Sequence, residues 1–462
     1  MCNYFILLAL VATGVTAAPV YFRSDGGIAA EATQLPTKFD APAWKTELAS
    51  GHSTPVIANG RIFLTAYDAG SNELSTLALD QGSGKLLWKQ VAAASKIESV
   101  HRVGSPAAAT AASDGQRVYV FFGSYGVVCY DLDGKKIWEH RLGPFQDEFG
   151  AASSPVLLDD MVIILQDHDI DSFVMALDAA TGRMLWKVTR PDAVRSYSTP
   201  AIWAHNGKKE LLVAGALQLI SYDPKSGKKL WWKDGLARIV IPIPVPAGDM
   251  VYMASWAPGG DSGQRLALDP WKAALGKWDA NKDAKLLKSE VDDAQVLDRF
   301  YRMDLDQSGT LDGKEWDRHA EVFKRAQNAI LAVKPSSEGE LSDGDVVWKY
   351  QRGVPYVATP LAHQGNVWMV KDGGIVTKLD ARTGRVLQEE RLPGIGNYYA
   401  SPVAGDGKIY FASELGVLSV VSADGNWSVL AKHDFREKIC ATPVIDKNRI
   451  LIRTEKALYC FQ

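Results

Sequence analysis

The chain has 462 residues and little cysteine. Its four cysteines include no adjacent pair, no Cys-x-x-Cys and no Cys-x-x-Cys-His, which removes zinc clusters, c-type haem and vicinal disulfides from consideration. Membrane-length hydrophobic runs are missing too. The apolar run at residues 5–11 is too short to span a bilayer, and mostly small residues follow it from 12 to 18. This pattern predicts a secretory signal peptide over residues 1–17, with Val15 at the minus-three place, although the leading segment contains no Lys or Arg. Cys2 precedes the apolar run, so it does not stand where a lipid-attachment cysteine would. Nor does one sign of charge dominate. A formal net charge of -3 gives no electrostatic reason to expect nucleic acid or an acidic membrane surface. The expectation is a periplasmic or secreted protein, monomeric, with no transmembrane segment in the mature chain.

What the chain does contain is a repeat. Residues 154–186 comprise four short apolar segments divided by Asp and Gly turns, the pattern of four antiparallel strands. One such sheet has two apolar faces and cannot bury both alone, so it needs neighbours. Copies of its opening Ser/Thr-Pro step stand at Thr54-Pro55, Ser105-Pro106, Thr199-Pro200, Thr359-Pro360, Ser401-Pro402 and Thr442-Pro443. Closing tryptophans recur at Trp88, Trp138, Trp231 and Trp348, and third strands end on Asp80, Asp131, Asp223, Asp269 and Asp380. The period of about 40–50 residues is that of a propeller blade. Openings near Pro55, Pro106, Pro155, Pro200, Pro242, Pro360, Pro402 and Pro443 predict an all-β, eight-bladed β-propeller of four-stranded blades. The last copy supplies three strands only. The stretch around Trp44 resembles a fourth strand and is expected to close the ring against the C-terminus, removing two sheet edges. Gln388 and Leu430 stand near the place of the closing Trp in the sixth and seventh copies. Cys129 and Cys460 fall at matching places on third strands, where small buried side chains compete with a Cys440–Cys460 bridge as the explanation.

The fifth copy is interrupted. Its third strand is expected at residues 265–269 and its fourth at 346–350, so the division is 41–269 for the first propeller segment, 270–335 for an insertion and 345–462 for the rest. The insertion changes period. Trp271, Ala274, Leu275 and Trp278 share a helical face, as do Val291, Ala294, Leu297 and Tyr301, and then Val322, Ala326 and Ile330. Two acidic loops lie between. The second carries oxygen donors at Asp304, Asp306, Ser308, Asp312 and Glu315, with Gly309 at the turn and Thr310 offering its carbonyl. That spacing wraps a hard cation in an EF-hand. The first loop keeps Asp279, Asn281, Asp283 and Glu290, with Lys285 at the carbonyl place. Ala284 replaces its turn glycine, at a cost of roughly 1 kcal/mol for positive φ. Leu287 cannot hold the usual water. The expected cation is calcium, as a structural clamp more than a switch, since millimolar extracellular calcium fills weak sites.

The repeat, with its Ala-Leu-Asp-x-x-Thr-Gly-x-x-x-Trp close, resembles the tryptophan-motif propellers related to pyrroloquinoline quinone (PQQ) enzymes, a group that includes quinoprotein alcohol dehydrogenases and BamB-like assembly propellers. The resemblance implies architecture more than activity. A BamB-like role implies binding. A dehydrogenase role implies PQQ with calcium and a carboxylate base. Against the latter stand the missing vicinal cysteines, the shorter chain and the lack of an assignable base.

A ligand would sit at the mouth where inner strands begin. The segments there contain His52, His101, Arg102, Phe149, Arg195, Tyr197, Arg238, Tyr356, Asn397, Tyr398 and Tyr399, together with the acidic run at residues 167–171. Such side chains either bind a ligand or plug the channel by satisfying one another. The insertion, leaving after a third strand, is expected on the opposite face. The functional expectation is an exported calcium-binding scaffold for a protein or carbohydrate ligand, without catalysis. The alternative is a PQQ- and calcium-dependent dehydrogenase acting on alcohols or sugars.

Overall fold

The structure, a computed structural model, describes residues 18–462 except 96, 99, 146 and 262–266, and every side chain among them but that of Phe323. The expected signal peptide lies outside the described residues.

Among these residues the long strands form eight sheets in sequence order, each a four-stranded antiparallel meander at its heart. Blade 3 is Val156–Leu158, Met161–Gln166, Phe173–Asp178 and Met184–Thr189. Its two central strands are almost wholly buried because adjacent blades cover both faces. Blade 8 is composite. Val444–Asp446, Arg449–Arg453 and Ala457–Phe461 are completed by Trp44–Glu47, with Trp44 opposite Cys460. Cys129, Cys440 and Cys460 are all free thiols.

Two devices recurring in the sequence lock blade to blade. The first is a girdle of hydroxyls around the channel. The amide of Thr54 donates to Thr110 Oγ1 (3.0 Å), that of Thr110 to Ser154 Oγ (2.9 Å) and that of Ser154 to Thr199 Oγ1 (2.9 Å). On the other side Ile243, Thr359 and Ser401 donate to Thr359, Ser401 and Thr442. Two expected openings are thereby corrected. Thr110, followed by Ala111, takes the place assigned to Ser105-Pro106. Ile243-Pro244 takes that assigned to Pro242, where prolines alternate and only one is in register.

The second device is the closing tryptophan. Trp138 donates Nε1–H to the Ala179 carbonyl of the next blade (3.0 Å) and lies over Gly182, whose φ is +72° and whose added Cβ would come within 2.5 Å of the indole. Only glycine fits there on both counts. Trp88, Trp186 and Trp348 repeat the contact on Leu132, Pro224 and Ala381. Gln388 reproduces it with an amide, donating to Trp427 O (3.0 Å) and accepting from Trp427 N (2.7 Å). In blade 7 the matching residue is Ala431, opposite Val420, rather than Leu430.

The N-terminal segment lines the channel near the ends of the first strands. Val20 bridges Ser113 of blade 2, and Ile28–Ala29 pairs parallel with blade 7. Between them Arg23 donates to the carbonyls of Pro402 (2.9 Å) and Pro360 (3.4 Å).

Blade 5 differs most from expectation. Its strands are Val245–Ala247, Met250–Ser255, Ala329–Val333 and Val346–Tyr350, so the third strand follows the insertion instead of preceding it at 265–269. Leu268-Asp269 imitates a strand end, but the fully buried Ala329–Val333 pairs with both neighbours. The insertion contains α1 (Trp271–Trp278), α2 (Ala294–Met303) and α3 (Gly313–Arg325). Its own small core gathers Ala274, Trp278, Leu286, Val296, Phe300 and Trp316. The buried face of α2 is Val296, Phe300 and Met303, whereas Tyr301 is exposed. The face predicted from Val322, Ala326 and Ile330 is broken, because α3 stops at Arg325 and Ile330 lies in the strand.

Candidate functional site

Strand order fixes where the insertion sits. In a meander, the connection from second to third strand lies on the same face as the segments that lead into each inner strand. An insertion at that connection therefore stands on the mouth face, not opposite to it. The contacts agree. Arg318 of α3 donates to Pro191 O (2.9 Å), Arg325 pairs with Asp234, and Gln327 N donates to Leu236 O (3.0 Å). Arg195 of the mouth lies 5.9 Å from the Tyr301 ring of α2.

The two acidic loops are tied by a short antiparallel pair, Leu286 opposite Leu311 and Leu287 opposite Thr310. In the second loop, carboxylate oxygens of Asp304, Asp306 and Glu315 all lie within 4.8 Å of one another. Asp304 accepts from the amides of Ser308 and Gly309 (both 2.9 Å), which curls the loop around it. Glu315 reaches back to the amides of Leu305 (2.7 Å) and Asp312 (3.1 Å), while Asp312 caps α3 by accepting from Glu315 N. Burial raises the Asp304 and Glu315 carboxyls, whereas the Ser308 hydroxyl and amide hold Asp306 down. Three converging carboxylates repel one another unless a cation or protons intervene. Asp312 is spent on the cap. Ser308 Oγ and Thr310 stand together at 3.0–3.2 Å.

The first loop has the same curl: Asp279 accepts from Asp283 N (3.2 Å) and Ala284 N (3.1 Å). Ala284 is held at φ +62°, the strained conformation expected of it, where Gly309 at φ +83° is unstrained. Glu290 turns to the amides of Asn281 (3.3 Å) and Leu287 (2.8 Å), and Asn281 Nδ2 donates to Asp283 (3.1 Å). Its carboxylates do not converge as those of the second loop do, among the described residues. Lys285 places its amide on Asp283 (2.8 Å).

The mouth divides into two sectors. In one, His52, His101, Arg102 and Tyr399 line a cavity of about 200 Å³ with Cys440, Lys438 and Glu414. Burial, then Arg453 and Lys438, push His52 down to about 4, so it is neutral at pH 7. Asn397 donates to Glu414 (2.8 Å) and Tyr399 OH (3.1 Å).

In the other sector the side chains satisfy one another. Arg195 makes a fork to Asp169 (2.6 and 2.5 Å) and a third bond to Glu148 (2.7 Å). Arg190 forks onto Asp167 (2.7 and 2.9 Å), so the acidic run at 167–171 is an anchor for arginines. Tyr197 donates to Asp147 (2.7 Å), and burial pushes that carboxyl up to about 7. Phe149 packs between His101 (5.1 Å) and Tyr197 (5.7 Å). Tyr356 meets Trp256 edge-on at 5.2 Å. Arg195 and Arg238 reach the seam beneath α2 and α3, a cavity of about 50 Å³ shared with Arg302, Glu315 and His319.

One expected mouth residue does not belong. Tyr398 is buried between blades 6 and 7 and donates to Gly394 O (2.7 Å). Residues that the repeat pattern did not single out include Asp147, Glu148, Lys438, Arg299 and Arg302. All lie in connections or in the insertion, where no periodicity marks them.

A quinone would have to fit this mouth. Of its two sectors, one is filled by internally paired ions. In the other, Glu414 and Glu455 line the same cavity as Arg102 and Lys438, so the charges offset and leave no surplus of cations for the quinone's own carboxylates. The donor set does not fit that group.

Eight four-stranded blades with a helical unit seated on the mouth define a repeat scaffold of the propeller class. The chain belongs to the family described as outer membrane protein assembly factor BamB, whose model matches residues 20–168, 170–319 and 327–462. No curated protein matches the sequence. Similar solved structures include BamB from Moraxella catarrhalis (11% identity, TM-score 0.53, covering 97% of this chain and 99% of that one). A quinohemoprotein alcohol dehydrogenase from Pseudomonas putida HK5 is similar at 10% identity and TM-score 0.52, with 93% and 78% covered. A europium-containing methanol dehydrogenase is similar at 10% and 0.54, with 93% and 88% covered. Such identities establish the fold alone. No helix of the described residues is long and apolar enough to cross a membrane.

Proposed function

We propose that the protein is an exported, calcium-binding propeller scaffold that holds a protein or carbohydrate ligand at its mouth, and that it works in the cell envelope or outside the cell. The observation that carries this reading is the convergence of Asp304, Asp306 and Glu315 within 4.8 Å, on a helical unit that packs against that mouth. The loop has the ligand order of an EF-hand, with a sharp turn at Gly309 and a pairing strand to a sister loop. Calcium there neutralises the carboxylates and fixes the start of α3. The next turns of that helix carry Arg318 and Arg325 onto blades 3 and 4. The cation thus clamps the helical unit over the mouth. The family's name, an assembly factor, supports a protein ligand over a substrate.

Calorimetric titration with calcium is the direct test. Exchange through one strong and one weaker site is expected, and Asp304→Ala with Glu315→Ala abolishes the strong one. At 2 mM calcium, a Kd of about 0.1 mM stabilises the unit by about 1.8 kcal/mol. Absence of calcium heat, or melting unaffected by chelator, refutes the clamp. Pull-down from an envelope fraction with and without calcium tests the ligand reading. Recovery of a partner that a mouth double variant (His101→Ala with Tyr399→Ala) loses supports it.

A further inference from the structure

Away from the helical unit, one stretch of the mouth combines exposed apolar surface with unspent charge. Ile395, on the connection from blade 6 to blade 7, is 63% exposed. Leu415, at the turn between the second and third strands of blade 7, is 52% exposed. The two are neighbours, since Leu415 lies over Gly396, where an added Cβ would come within 2.8 Å of its side chain. Other exposed aliphatics, such as Leu86-Leu87, Met184-Leu185 and Val386-Leu387, open fourth strands on the far rim, where the repeat places one pair after another. Ile395 and Leu415 belong to connections instead and stand on the mouth face.

This aliphatic pair borders the open cavity of about 200 Å³. Glu414, next to Leu415, lines that cavity, and Asn397 ties its carboxylate (2.8 Å) to the hydroxyl of Tyr399 (3.1 Å), another lining residue. Lys438 and Glu455 are joined through their backbones, Glu455 N donating to Lys438 O (2.8 Å), and Arg102 enters from the connection between blades 1 and 2. Among the described residues none of Arg102, Glu414, Lys438 and Glu455 forms an ion pair, although all line one recess. In the other sector Arg190 and Arg195 are forked onto Asp167 and Asp169.

Side chains of both signs that share a recess without pairing are matched by a ligand that itself carries both signs. A neutral sugar offers neither, and a polyanion only one. The recess admits single side chains but not the flat face of a folded domain. Exposed aliphatics beside such a recess mark a protein contact. We propose that this stretch of the mouth binds an extended segment of a partner protein. An aliphatic side chain of the segment covers Ile395 and Leu415, and flanking residues of both signs meet Glu414, Glu455, Lys438 and Arg102. Apolar burial supplies most of the affinity, whereas the solvent-facing charges fix register and direction. The inference rests on the mouth being the ligand face and narrows that ligand to a peptide.

The test immobilises the full chain with calcium chloride present and selects from a phage-displayed library of short random peptides. The strongest binder is then synthesised and its affinity read by fluorescence polarisation. Selected sequences are expected to share an aliphatic residue flanked by acidic and basic ones. Ile395→Ser with Leu415→Ser weakens the synthetic peptide by roughly tenfold or more, while Leu86→Ser with Leu87→Ser on the far rim leaves it unchanged. Selection repeated on Lys438→Glu exchanges an acidic position of the consensus for a basic one. Failure to enrich any sequence, or a peptide affinity that the Ile395 and Leu415 substitutions do not alter, overturns the proposal. So does a concentration-dependent dimer in sedimentation that those substitutions abolish, which makes a second copy the occupant. Glycan-array binding that they abolish overturns it too, in favour of a carbohydrate. If no peptide is selected while the His101 and Tyr399 double variant still loses a partner in pull-down, the mouth remains the ligand face and only the peptide reading falls.

Discussion

Trp138 offers the sharpest measure of how one blade holds the next. It is 9% exposed, packs against Tyr119 at 5.9 Å, covers Gly182 and donates to Ala179 O. Removing the indole opens a cavity between blades 2 and 3 that the sheets cannot collapse, because each is pinned by its own ladder. Trp138→Ala is therefore expected to cost about 3–5 kcal/mol. Trp138→Phe keeps most of the ring and loses only the N–H. The Ala179 carbonyl still accepts from Tyr119 OH (3.2 Å), so no buried acceptor is orphaned, and the hydrogen-bond part of the loss stays near 0.5–1.5 kcal/mol. Gln388→Ala is the counterpart without a ring. It removes a donor and an acceptor from Trp427, and leaves the Trp427 amide without its partner, for about 1–3 kcal/mol. Urea unfolding followed by far-ultraviolet circular dichroism measures all three. The reasoning is refuted if Trp138→Ala costs less than Gln388→Ala, since the clasp would then be polar and the ring incidental.

Ala284→Gly should relieve the strained turn of the first acidic loop by about 1 kcal/mol and strengthen its calcium affinity in calorimetry, with Gly309→Ala doing the reverse in the second. Asp147 has a folded pKa of about 7 against an ordinary value near 3.8, so the folded state holds the proton more tightly than the unfolded state. Its contribution to stability is complete at low pH and is lost as pH rises towards 7; Asp147→Asn should flatten the melting profile between pH 5 and 8 and melt higher than the parent at pH 8. Arg318→Ala with Arg325→Ala should loosen the helical unit, seen as faster amide hydrogen exchange in α3 with the blades unchanged.

The propeller was legible because its physics repeats. A glycine turn, an indole and a hydroxyl before proline recur in most blades, and each does the same work where it is kept. The closing role of Trp44 could be read for that reason alone. What failed to be legible were places where a single copy departs from the pattern. Leu268-Asp269 has the residues of a strand end but lies in no strand among the described residues, and residues 329–333 have partners but lack the Asp. Pairing decides, and pairing is non-local. Ser105-Pro106 was a similar decoy, since Thr110-Ala111 holds the hydroxyl in register. The acidic cluster of the second loop was legible because Asp304, Asp306 and Glu315 are local in sequence. The seam under the helical unit was not, because Arg195, Arg238, Arg302 and Arg318 come from four separate stretches of chain.

The corrected strand order changes what the insertion can do. Beyond a third strand it would hang from the far face, remote from any ligand, and calcium there could affect stability only. Between second and third strands it shares the mouth with His101, Tyr399 and Arg195, and Glu315 serves both the acidic loop and the wall of the seam. A cation drawn to Glu315 acts on a helix whose following turns touch blades 3 and 4. Occupancy of the loop and geometry of the mouth are then coupled through α3, and linkage requires the coupling to run both ways. A ligand spanning mouth and seam must tighten calcium by the same factor that calcium tightens the ligand. Measuring calcium affinity with and without the ligand checks the coupling directly, and an affinity unchanged by the ligand would rule out α3 as a shared element.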